Sequence, residues 1–87
     1  MISVLIPSQL IAYTGGATRV EAEGETVDAV MRDLDRRFEG LRFRVIDEQG
    51  RIRRHMRIFV GLERVETLDR LLQAGDEVLI FGALSGG

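Results

Sequence analysis

The residue types that most often carry catalysis are scarce in this chain of 87 residues, which has one His, one Tyr and no Cys. A thiol nucleophile, a thiolate metal site, an iron–sulfur cluster, a disulfide and a side-chain persulfide are therefore excluded. His55 stands in Arg53-Arg54-His55-Met56-Arg57 with no second ligand at metal or triad spacing, so a surface histidine is the favoured reading. Of the 14 acidic residues, none stands in an apolar stretch that would raise its pKa and make it an acid or base. Thr14-Gly15-Gly16 lacks the lysine and strand-to-helix context of a phosphate loop and reads as a turn.

What remains is Gly86-Gly87 with the terminal carboxylate. An extended Gly-Gly, lacking Cβ atoms, threads a narrow channel and presents its carboxylate without side-chain clash. A carboxylate is a poor acyl donor until one oxygen becomes a leaving group, and adenylation does that. Alone the pair is a weak signal, because a frayed end is common.

All 12 basic residues are Arg, so the α-amino group of Met1 is the only amine and no side chain accepts an amide-forming acyl group. The net charge of -2 gives no global attraction to nucleic acid or to an anionic membrane. The N-terminus has neither the basic region nor the long apolar stretch of a secretory signal, so a cytoplasmic location is expected. Arginines 42, 44, 51, 53, 54 and 57 form the one charge cluster. Asp47 and Glu48 interrupt it and only Phe43 interleaves, which favours a solvated loop over a protein-docking patch, and that over nucleic-acid binding.

The elements that must hold the terminus follow from periodicity. Residues 2–6 alternate with Ile2, Val4 and Ile6 on one face, and Pro7 ends the run. Tyr13-Thr14-Gly15-Gly16 turns the chain into a second strand, 19–23, with Val20 and Ala22 facing a core. Thr26 as N-cap, Asp28 in the first turn and Gly40 as C-cap bracket a helix whose Val27, Val30, Met31, Leu34 and Phe38 share a face. Residues 41–55 read as a long, mostly exposed connection. Residues 56–60 make a third strand, 61–65 a turn into a short edge strand, and Leu68, Leu71 and Leu72 a single helical turn. Glu77-Val78-Leu79-Ile80-Phe81 is the most hydrophobic run and the expected sheet centre. One α+β domain over residues 1–87 is predicted, with one main helix on one face of a mixed sheet of four to five strands and 82–87 as an extended, flexible tail.

With Tyr13-Thr14-Gly15-Gly16, Gly24-Glu25-Thr26-Val27, Ile58-Phe59-Val60, Gly75-Asp76-Glu77-Val78 and the Gly-Gly ending, the chain resembles the ThiS/MoaD family of ubiquitin-like sulfur carriers. The Thr-Gly-Gly turn and the arginine-rich insertion look closest to the CysO-like branch. The resemblance implies a β-grasp fold and a carrier rather than an enzyme. It implies that a ubiquitin-activating-type adenylyltransferase, using ATP and Mg, adenylates Gly87. Gly87 would then be converted to a thiocarboxylate by that adenylyltransferase/sulfurtransferase, with Leu84, Ser85 and Gly86 as its tail. No cofactor or metal bound to the chain itself is expected. A sulfur-accepting biosynthetic enzyme, in cysteine, molybdopterin or thiamine synthesis, is the second implied partner. The alternatives are the small subunit of molybdopterin synthase and a protein modifier conjugated through Gly87. Val60-Gly61-Leu62-Glu63 lacks an Asn common in the family and Gly82-Ala83 lacks a Pro pair, departures that point away from the molybdopterin branch.

Strand phase adds a docking surface. If Val78 and Ile80 face the helix, Leu79 and Phe81 point the other way with Leu5 and Phe59, forming an uncovered apolar patch for the activating enzyme. The alternative is that residues 41–55 fold over it.

Overall fold

The computed structural model describes residues 1–82; Leu84, Ser85, Gly86 and Gly87 of the predicted tail lie outside the described residues. Strand β1 (Ile2–Leu5) buries Ile2 and Val4 and turns Ser3 and Leu5 to the opposite face, as the alternation predicts. Between β1 and β2 (Arg19–Ala22) lies a 3₁₀ helix, Ser8–Thr14, where a plain hairpin connection is predicted. The buried Thr14 hydroxyl lies within hydrogen-bond distance of the Ile11 and Ala17 carbonyls, at 3.1 and 2.7 Å. Gly15 then reverses the chain in the left-handed conformation, φ 66°, which suits glycine. β2 returns antiparallel to β1, with Ile2 opposite Ala22 and Leu5 opposite Arg19.

Helix α1 (Val27–Arg37) buries Val27, Val30, Met31 and Leu34 against the sheet. Its Thr26 cap accepts a hydrogen bond from the Ala29 amide at 3.1 Å. The other first-turn amides, those of Val27 and Asp28, donate to the carbonyls of Arg70 and Leu68, both at 3.0 Å. This explains why Leu68, Leu71 and Leu72 form no helical turn, contrary to the periodicity. Leu68 lies in a turn and Leu71 bridges antiparallel to Thr26, and the carbonyls of Leu68 and Arg70 cap α1.

The 41–55 segment is the larger correction. Gly40, at φ 92°, does not close α1 but opens a short helix α2 (Leu41–Val45), and α1 ends at Phe38. Leu41, Val45 and Ile46 are fully buried in the common core, so the segment packs on the helix side. It therefore leaves the opposite sheet face uncovered.

Strands β3 (Met56–Val60), β4 (Glu63–Arg64) and β5 (Glu77–Gly82) complete a mixed five-stranded sheet in the order β2-β1-β5-β3-β4. The apolar β5 is central, parallel to β1 and antiparallel to β3, as its composition predicts. The arrangement, with α1 laid on one face, is a β-grasp.

Candidate functional site

The site begins where β5 leaves the sheet. Val78 and Ile80 point into the core, which puts Leu79 and Phe81 on the free face. Leu79 has Leu5 opposite it on β1 and Phe59 opposite it on β3. The rings of Phe59 and Phe81 meet edge to face at 5.6 Å and 81°. Phe81 remains 48% exposed, and Leu5, Phe59 and Leu79 are partly exposed. The structure thus brings together all four apolar residues that strand phase assigned to a docking face.

Charges frame the patch on both sides. Arg19 on β2 pairs with Glu77 at 2.7 Å and donates to the Ser3 hydroxyl at 2.8 Å. Arg57, opposite Phe81, directs its guanidinium at the carbonyls of Arg54 and Met56, at 2.7 and 2.8 Å. Those bonds hold the side chain in place without cancelling its charge.

At the root of the tail Gly82 lies opposite Met56, and its carbonyl accepts a hydrogen bond from the Gln9 side chain at 3.0 Å. A Cβ at position 82 would stand 2.6 Å from the same Gln9 nitrogen. Gln9 is absent from any reading of the sequence, since it and Gly82 are 73 residues apart and nothing local marks it.

The arginine cluster divides by role. Arg42 is structural, pairing with Asp28 at 2.7 Å and tying α2 to α1. Arg44 stacks over Tyr13 and Arg53 over Phe43, with centroid distances of 5.8 and 4.4 Å. Burial pushes the Asp28 carboxyl up, but hydrogen bonds from Arg32 and Arg42 outweigh it and hold the group below its ordinary 3.8. His55 is exposed, and among the described residues no three His, Asp or Glu side chains are grouped to hold a metal ion.

The model of the ThiS family matches residues 4–87, nearly the whole chain. The chain belongs to the ThiS family. Over 91 aligned positions it is 36% identical to the sulfur carrier protein CysO of Mycobacterium tuberculosis, covering 99% of this chain and 98% of that protein. The crystal structure of that CysO superposes with a TM-score of 0.91 at 34% identity, covering 97% of this chain and 100% of the other. A chain of the Amycolatopsis orientalis BexX/CysO complex gives a TM-score of 0.93 at 32% identity, over 100% of both. SAMP1 of Haloferax volcanii gives 0.77 at 26% identity, over 99% of this chain and 98% of that one. This member of the ThiS family therefore has the ubiquitin-like β-grasp fold.

Proposed function

We propose that the chain is a sulfur carrier whose working group is the carboxylate of Gly87. The carboxylate attacks the α-phosphate of ATP in a partner enzyme and displaces pyrophosphate. A sulfur nucleophile then displaces AMP from the acyl-adenylate and leaves a thiocarboxylate. Magnesium and ATP belong to that ubiquitin-activating-type partner, which makes this chain its substrate rather than an enzyme. Gly86, without a side chain, lets the end enter a narrow site, and Leu84 and Ser85 belong to the same tail segment. The Leu5, Phe59, Leu79 and Phe81 face docks the activating enzyme, and Gln9 fixes the direction in which the chain leaves Gly82.

The observation that carries this reading is the similarity to a sulfur carrier protein along the full chain, through Gly87. The residue inventory supports it, since no thiol and no histidine pair competes as a chemical centre. A biosynthetic enzyme consumes the sulfur, and cysteine is the first product to test given the similarity to CysO.

Mass spectrometry of the protein incubated with its activating enzyme, Mg-ATP and a sulfur source is the test. Exchange of one C-terminal oxygen for sulfur is expected, and deletion of Gly87 should abolish it. An unchanged mass, with no acyl-adenylate trapped, would overturn the carrier reading. The similarity to SAMP1, a small archaeal modifier protein, supports a second reading in which Gly87 is joined to lysines of target proteins. Target-sized adducts recovered from host cells, absent without Gly87, would favour it.

A further inference from the structure

A second surface lies one strand away from the tail root. A cleft of about 530 Å³ opens beyond β3, between residues 50–57 and 64–68. Arg51, Arg53, Arg54, Arg57 and Arg64 line it, with Glu66 the single carboxylate among the described lining residues. The Arg64–Glu66 pair is loose, at 3.9 Å with side chains 51% and 76% exposed. Arg53 and Arg57 bond to backbone carbonyls, which orient them, and neither has a carboxylate at ion-pair distance among the described residues. Arg51 reaches Asp47 only at 3.8 Å, and Arg54 is exposed with no ion pair among the described residues. Between the arginines, Ile52, Val65 and Leu68 add apolar lining. A chain of net charge -2 thus concentrates positive charge in one concavity.

The composition of the walls identifies the occupant. Base stacking needs an open aromatic face, and no aromatic side chain is among the described residues that line the cleft. Arginines alternating with aliphatic side chains suit a peptide that alternates carboxylates with apolar groups. Position names its bearer: Met56, in the cleft wall, is the strand partner of Gly82, so one wall of the cleft lies about 5 Å, one strand spacing, from the tail root. A protein that engages Gly82 is thereby one strand away from this wall.

We propose that the cleft docks an acidic, partly apolar segment of the protein that takes up the tail, an inference that rests on the carrier reading above. The charge pairs steer association and make it depend on salt, while the chemistry at Gly87 is untouched.

The first test is an NMR titration of the isotope-labelled protein with a synthetic peptide of alternating Asp and Leu. Shifts are expected at residues 51–57 and 64–68, and they should vanish in the double variant Arg51→Glu/Arg54→Glu while its remaining resonances stay in place. Equal shifts from an Asn-Leu peptide, the same shifts from inorganic phosphate alone, or a stronger response to single-stranded RNA would each overturn the proposal. The second test compares activation of the wild type and the double variant. At low ionic strength kcat/KM should fall about tenfold with kcat unchanged, and the gap should close in high salt. An activated wild type with an equally good variant refutes the cleft. A wild type that no activating enzyme adenylates refutes the carrier reading instead, and the peptide titration then decides the cleft on its own.

Discussion

Two glycines with crowded surroundings respond to alanine in opposite ways. At Gly24 an added Cβ would stand 2.7 Å from the Val30 amide nitrogen and 2.8 and 2.9 Å from Ala29 atoms, most of them backbone of α1 that cannot move aside. Gly24→Ala should cost about 1–3 kcal/mol in denaturant unfolding, the range for overpacking a tight contact. At Gly82 the obstacle is the end of the Gln9 side chain, which swings away. Gly82→Ala should therefore change stability by less than about 0.5 kcal/mol, yet slow activation because the Gln9 bond to the tail root is lost. If it leaves activation at the wild-type rate, Gln9 does not guide the tail. Thr26→Ala removes the acceptor for the Ala29 amide and should lower stability by about 1 kcal/mol, with Thr26→Ser restoring most of it.

The strands and the main helix were legible because each writes its own period. Ile2 and Val4, Met56, Ile58 and Val60, and Val78 and Ile80 alternate at period two, and Val27, Val30, Met31 and Leu34 return at helical spacing. From that phase the free face of Leu5, Phe59, Leu79 and Phe81 also followed. The elements that escaped are those whose shape is set by distant partners. Five residues of α2 are too few to show a period, and the shape of residues 68–72 is set by α1, whose first amides take the carbonyls of Leu68 and Arg70. Phe81→Arg removes the edge-to-face contact with Phe59 and sets a second arginine opposite Arg57, so it should lower stability by about 1 kcal/mol without unfolding the sheet. The same change should raise the KM of the activating enzyme; an unaltered KM would remove this face as its docking site.

For the molecule as a whole, acid stability rests on carboxylates. The Glu23 amide, then Arg36 and Arg37, hold Asp33 below 3.8 against the opposing effect of burial, and the Arg51 amide does the same for Asp47. Asp28, Asp33 and Asp47 therefore bind fewer protons folded than unfolded near that pH, so their contribution is present above it and is lost as pH falls through their lowered values. Stability should be level through neutral pH and decline below about pH 4, and Asp33→Asn should flatten that decline. The central place of β5 has a consequence for biosynthesis. β1, the first strand made, pairs in parallel with the last, so the sheet cannot close until residue 82 has left the ribosome. Until then β1 and β3 lack their common neighbour, and a chain cut short before β5 has no apolar face of Leu5, Phe59, Leu79 and Phe81.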